Sequence, residues 1–548
     1  MAASRVLPPL SFINFRRSRI CQSMELCRSQ KDVVCFSFSS QNHSWDFKLS
    51  LVRLGGASLI SRFQRSKTSF DCTTNTTDGG KEFERQLQEL FEEVKTMITM
   101  GNKNDAKDLL QANYEAVKER INAGAKGMEE AAVIDVIALG YMALGDLKFV
   151  GSLLGMLDEV VNGLRDDEQL LDPVLVHMGS MYSALGKFEK SARLYGRAID
   201  IMENKYGRNS VFLVTPILGM AKALSSGGRA TKAVKFYQHA VSILESSRGA
   251  VSEDLVIPLI GIGNLLLQEG KAKEAEAPFL RILNIYTKLY GEFDGRVGMA
   301  MCSLAHVNCA MGNADEAIRL YRNALQVIKD SDYMAVDDGT MEKIRIDLAE
   351  LLHVVGRGKE GRELLEECLL ITEKSRGKEH PSSVTHLINL ATSHLRAKNY
   401  AEAEHLLRTS LQIMAKTAEP DDQSVTYPML HLAVTLYHLK RDEEAEQYAL
   451  EALHIREKAF EKDSIPVAEA LDCLVSIQTR LRPDDEKLLE KLKRVLRIQE
   501  KELGHESEEA METLKKMAFY LEKLGRKNET LTIKKRLSLL RMKFKQRL

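Results

Sequence analysis

Residues 178–198 read Met178-Gly-Ser-Met-Tyr182-Ser-Ala-Leu-Gly186-Lys-Phe-Glu-Lys-Ser191-Ala-Arg-Leu-Tyr195-Gly-Arg-Ala198. On either side of Gly186 apolar residues recur at i, i+3, i+4 and i+7, the period of an amphipathic helix. Gly186 interrupts them with the residue best suited to the left-handed turn that ends a helix. Small residues at Gly179 and Ser191 let two helices approach closely, and Tyr195 fills the space opposite. The stretch predicts an antiparallel helical hairpin.

The pattern returns along the chain. The small or polar residue that breaks each apolar run stands at Gly101, Gly145, Gly186, Gly228, Gly270, Gly312, Gly356, Lys398, Lys440, Arg482 and Gly525, at intervals of 41 to 44 residues. Five residues after the break comes a small residue (Ala106, Ser191, Ala233, Ala275, Ala317, Gly361, Ala403, Ala445). Seven before it comes another (Gly179, Ala221, Gly263, Ala305, Ala349, Ala391, Ala433), and nine after it a large one (Tyr195, Tyr237, Phe279, Tyr321, Leu365, Leu407). A lone hairpin of this kind cannot bury its apolar face, so the units must stack. The expectation is an all-α fold, an α-solenoid of about eleven stacked antiparallel hairpins over residues 81–525. Pro216, Pro258 and Pro428 each lie twelve residues before a break, so these helices either begin late or kink there.

These columns resemble the tetratricopeptide repeat (TPR) superfamily, most closely at Met178-Gly179, Tyr182, Leu185-Gly186, Phe188, Tyr195 and Ala198, and again at Leu304-Ala305, Gly312, Ala317, Tyr321 and Ala324. The usual period of that superfamily is about 34 residues. The longer unit here resembles the kinesin-light-chain subclass, as does the connecting segment Ile371-Thr-Glu-Lys-Ser-Arg-Gly377-Lys-Glu-His380-Pro381. The resemblance spans residues 81–548, is strong over 139–460 and degenerates at both ends, as solenoid caps do.

It implies a right-handed superhelix whose concave groove, lined by the first helix of each hairpin, holds a protein or peptide. The implied groove columns lie nine and six residues before each break, and supply the candidate binding residues His177, Lys222, Asn264, His306, Glu350, Asn389, Thr392 and His431. In the kinesin-light-chain-like pattern an Asn in the first column bonds a peptide backbone, and only Asn389 keeps it. Small residues such as Gly219 and Gly261 in that column are expected to let a partner approach closely. The clamp for Hsp70 and Hsp90 tails needs Lys ten before the break, where Val176, Leu218, Ile260, Cys302, Ile346, Ile388 and Leu430 stand instead. That argues against a chaperone-tail partner.

Charge divides the 548 residues into three materials. Residues 1–70 hold 11 basic and 3 acidic residues with 14 serines, residues 71–525 hold 57 basic and 73 acidic, and residues 526–548 hold nine basic and one acidic. The first segment reads as a disordered transit peptide. Its Met-Ala-Ala-Ser start and scattered arginines resemble plastid targeting, with the mitochondrion the alternative and an attached basic tail the other reading. Residues 71–80 read as a linker. The last segment reads as a basic amphipathic helix that caps the stack or touches an anionic membrane surface or RNA. No run approaches the roughly 18 apolar residues of a membrane span, and the eight scattered cysteines form no disulfide framework.

Gly356-Arg-Gly358-Lys-Glu-Gly361 spells a dinucleotide fingerprint, but such a motif works between a strand and a helix. Here two of its glycines fall on repeat columns. Cys302, His306 and Cys309 share one helical face at i, i+4 and i+7 and offer metal-binding chemistry, against the reading that they are the groove stripe of one repeat. No cofactor is expected and no catalytic site. Composition and repeats therefore point to a non-catalytic protein-interaction scaffold in the plastid stroma, serving assembly or maintenance of a chloroplast complex. The alternative is a plastid RNA-binding helical-repeat factor for RNA processing or translation, disfavoured by the acidic balance of 71–525.

Overall fold

The computed structural model describes residues 78–417, 422–481 and 484–547, and among them every regular element is helical. They divide into two compact units, one ending at Met334 and one beginning at Ala335. The first holds six hairpins: α1 (Asp78–Thr99) with α2 (Lys103–Asn122), α3 (Met128–Leu144) with α4 (Leu147–Val161), α5 (Leu171–Ala184) with α6 (Phe188–Tyr206), α7 (Val214–Ser226) with α8 (Ala230–Arg248), α9 (Val256–Gln268) with α10 (Ala272–Tyr290), and α11 (Gly295–Met311) with α12 (Ala314–Asp330). The second holds five: α13 (Gly339–Val354) with α14 (Gly358–Arg376), α15 (Ser382–Arg396) with α16 (Tyr400–Thr417), α17 (Thr426–His438) with α18 (Asp442–Ala459), α19 (Ile465–Leu481) with α20 (Asp485–Leu503), and α21 (Glu508–Lys523) with α22 (Lys527–Arg547). Residues 1–77 lie outside the described residues, and with them the expected targeting segment and most of the linker; so does the break at Arg482.

Each described break is a left-handed residue between two helices. Gly186 has φ +73°, and where the column carries lysine, Lys398 and Lys440 still adopt φ +62°, a conformation that costs a residue with a Cβ about 1 kcal/mol. The prolines resolve in favour of a late start. A 3-10 turn at Val211–Leu213, Glu253–Leu255 or Gln423–Val425 precedes α7, α9 and α17, so Pro216, Pro258 and Pro428 are each the third helical residue, where no intrahelical N–H is needed. Two expected boundaries shift. The first helix begins at Asp78, inside the linker, and 526–548 is no appendage, because a break at Gly525 needs a second helix and α22 supplies it.

The columns pack as the residue sizes demand. Ala106, Ser191, Ala233, Ala275, Ala317, Ala403 and Ala445 are all 0% exposed, which places this column at the closest approach of the two helices of a hairpin. The ring nine residues after the break does more than fill its own hairpin. Tyr195 lies against Gly179 of its own first helix and Gly219 of the next hairpin's, where added Cβ atoms would stand 3.0 Å and 2.3 Å from the ring. Tyr237 presses on Gly261 of the following hairpin, and Phe279 on its own Gly263, with the same test giving 2.5 Å in each case. Within each unit successive first helices also touch (α3 to α5 to α7 to α9, and α15 to α17 to α19), more closely than successive second helices do. The first helices therefore line the inner side of each stack.

Between second helices the joints are ionic. Arg408 of α16 reaches Glu444 of α18 at 2.5 Å, Arg441, just before α18, reaches Glu404 of α16 at 2.7 Å, and Arg494 of α20 reaches Glu457 of α18 at 2.7 Å. Such partly solvated surface pairs are worth about 1 kcal/mol each, so the rings and alanines carry the stacking.

Substituting Gly261→Ala forces the Tyr237 ring aside and is expected to destabilise the α8–α9 joint by about 2 kcal/mol. Tyr237→Leu in the same chain should restore part of the loss. Hydrogen exchange across residues 230–268 reads both effects; unchanged protection in Gly261→Ala would contradict this packing.

Candidate functional site

The residues thirteen, six and two before the break share one side of a first helix at 100° per residue; on α3 that side (Ala132, Leu139 and Ala143) is buried, whereas on α7 and α9 it is partly open. In the first unit this strip takes Thr215, Lys222 and Ser226 from α7, and Ile257, Asn264 and Gln268 from α9. Ile257 is 56% exposed although it is a large aliphatic residue. Ser180 and His306 continue the row of the sixth column on α5 and α11, both half-buried. The His306 Nδ1 lies 2.9 Å from the Cys302 carbonyl, and its ring stands edge-on to Tyr321 at 5.5 Å. These positions carry no carboxylate.

The second unit presents a different chemistry. Its strip takes Lys343, Glu350 and Val354 from α13, Thr385, Thr392 and Arg396 from α15, and Tyr427 and His438 from α17. Thr392 bonds the Ile388 carbonyl of its own helix at 2.9 Å. Beside the strip, the His353 ring bonds Ala349 O at 2.6 Å and Ser393 Oγ at 2.5 Å. Burial pushes His353 and His438 below the ordinary histidine value, so both rings are neutral near pH 7.

Of the residues expected to line a groove, Lys222 is exposed and Asn264, His306, Glu350, Asn389 and Thr392 are half-buried. His177 and His431, each 3% exposed, are inside. The reason is common to their column: nine before the break, a side chain faces the preceding hairpin. Gly219 and Gly261 in that column are filled by Tyr195 and Tyr237, so they offer a partner no close approach. His177 Nδ1 instead meets Asp135 Oδ2 of α3 at 2.6 Å, both side chains buried. His431 lies under Tyr427, ring centroids 4.4 Å apart. The residues missed were those thirteen before the break. Helical periodicity could have found them, since thirteen and six differ by two turns; Ile257, beside Pro258 and Leu259, reads as core from hydropathy alone.

The motifs that suggested chemistry have structural explanations. Gly356 is the left-handed break with φ +85°, Gly358 opens α14, and a Cβ on Gly361 would stand 2.4 Å from the His353 ring. Cys302 is fully buried, and among the described residues no three His, Cys, Asp or Glu side chains converge on a metal position. Burial pushes the Cys368 and Cys473 thiols up to about 12, which leaves them protonated and poor nucleophiles. Among the described residues no helix is long and apolar enough to cross a membrane.

A family profile, that of the MalT-like TPR region, matches residues 163–462, more than half of the chain. The chain belongs to the MalT-like TPR family. No curated protein matches it. Among solved structures, a putative kinesin light chain of Podospora anserina with nearly identical TPR-like repeats is 21% identical, covers 37% of this chain and 95% of its own, and superposes with a TM-score of 0.34. The apo form of RapI is 13% identical over 68% of this chain and 98% of its own, with a TM-score of 0.44. A Rap protein complexed with competence and sporulation factor is 13% identical over the same shares, with a TM-score of 0.34.

The Asp135–His177 contact gives a test of the inward column. Burial raises the Asp135 carboxyl above its ordinary value, against the opposing pull of His177. A raised acid contributes stability that is fully present below the ordinary carboxylate value and fades as pH rises through the raised one. Asp135→Ala is expected to cost about 2 kcal/mol, and Asp135→Asn to flatten the fall in stability from acid towards neutral pH. Thermal melts across that range measure both; a wild-type slope retained in Asp135→Asn would contradict the assignment.

Proposed function

We propose that this TPR chain is a non-catalytic protein-interaction scaffold of the plastid that holds an extended segment of a partner protein on the first-helix strip of residues 78–334, in support of assembly or maintenance of a chloroplast complex. The observation that carries this reading is Ile257, more than half exposed in a strip on α7 and α9 without carboxylates. An aliphatic residue held open among Thr215, Asn264 and Gln268 suits a segment that offers apolar side chains to it and backbone amides to its neighbours. Family membership supports the reading, because stacked helical repeats present long surfaces of this kind. A nucleic-acid partner would meet a strip with one lysine, too few cations to neutralise successive phosphates. The plastid assignment rests on the serine-rich, basic and acid-poor composition of residues 1–70.

Replacing Ile257→Asp is expected to reduce capture of stoichiometric protein partners from plastid extract by about tenfold or more. Leu280→Asp, on the exposed side of α10, should leave capture unchanged. Equal capture by both variants, or a chain that recovers RNA and no protein, would contradict the proposal. A fluorescent reporter fused to residues 1–70 should enter isolated chloroplasts; exclusion from them would remove the plastid from the account.

A further inference from the structure

The last helix has two chemically distinct sides. Its inner side closes the stack: Leu537 and Leu540 are buried and Ile533 packs with them against the core built by α20 and α21. The cations beside that inner side are matched within the chain. Arg526 pairs with Glu486, Lys534 with Glu522, Arg536 with Glu500, and Lys543 with Glu506 at 2.7 Å.

The outer side is different. Lys527, Leu531, Lys535, Leu539 and Met542 fall within about 120° of the helix circumference at 100° per residue. Leu531, Leu539 and Met542 are 55%, 57% and 55% exposed, on the last described helix. Lys527 and Lys535 are exposed among them, and exposed Arg541 stands at one flank. The one acid of the helix, Glu529, lies on another side, 3.8 Å from Arg526. The glutamates of α20 and α21 nearest to α22, Glu500 and Glu522, are already paired with it.

We propose that this outer side of α22 docks the chain on an anionic lipid surface. Aliphatic side chains bracketed by lysine and arginine match the boundary between anionic headgroups and acyl chains, where the apolar residues leave water and the cations stay at the charged plane. A second copy of the same face would bring like charges together. An RNA would use the cations and leave three aliphatic side chains in water, because stacking on bases takes aromatic rings or guanidinium planes. The site is separate from the first-helix strip, so one can fail without the other.

The test is co-sedimentation of the full chain with vesicles of phosphatidylcholine alone and of phosphatidylcholine with phosphatidylglycerol. Binding is expected only to the anionic vesicles, falling as salt rises. Lys527→Glu/Lys535→Glu/Arg541→Glu should weaken it about a hundredfold, and Leu531→Ser/Leu539→Ser/Met542→Ser should also abolish most of it, with thermal melts of both variants matching wild type. Failure of the wild-type chain to bind anionic vesicles overturns the proposal. Undiminished binding by the serine variant overturns it as well, and would assign the face to a soluble polyanion such as RNA or an acidic protein.

Discussion

The structure depends on one steric relation, an aromatic ring from a second helix wedged against glycine where two hairpins meet. Tyr195 touches the first helix of its own hairpin at Gly179 and that of the next at Gly219, and Tyr237 repeats the second contact at Gly261. A side chain at those glycines would need the space the ring occupies. The contact fixes both the distance between neighbouring hairpins and the rotation of each first helix, and ion pairs on the second helices add little to either. Everything about which residues face solvent follows from that rotation.

One consequence is that polar residues in the inward column are buried. His177 has Asp135 as its partner across the joint, and His431 lies against Tyr427 of its own helix with the rings tilted. The accessible strip lies one side further round the helix, and its chemistry differs between the two units. On α7 and α9 it has Lys222 and no carboxylate and is partly aliphatic at Ile257; in 335–547 it mixes Lys343, Glu350 and Arg396 with aromatic rings.

Much of the fold was legible in the sequence because it is written in residue size at a fixed interval. Gly186 with Gly179, Ser191 and Tyr195 specifies a hairpin, and ten further breaks specify the number of hairpins, all but the one at Arg482 within the described residues. Even the fingerprint at Gly356 to Gly361 was readable as repeat geometry. The site was less legible because its columns differ by a small rotation. Positions nine and six before the break lie about 60° apart on a helix, and which of them is covered depends on a ring contributed by the preceding hairpin, as Tyr195 covers Gly219 and Tyr237 covers Gly261. Hydropathy misleads at the same place, since Ile257 has the composition of a core residue and the exposure of a surface one. The role of α22 was hidden for a similar reason: its nine-to-one charge ratio is visible in the sequence, but which cations are matched by Glu486, Glu500, Glu506 and Glu522 depends on the stack.

The central claim is that the first-helix strip, and no other surface of residues 78–334, holds the partner. Photo-crosslinking states this most directly, with a benzophenone amino acid placed singly at positions 257, 264 and 280 of the full chain in its native cells. The account expects one protein to be crosslinked from 257 and 264 and not from 280. Crosslinking from 280 alone, or with equal yield from all three positions, would contradict it.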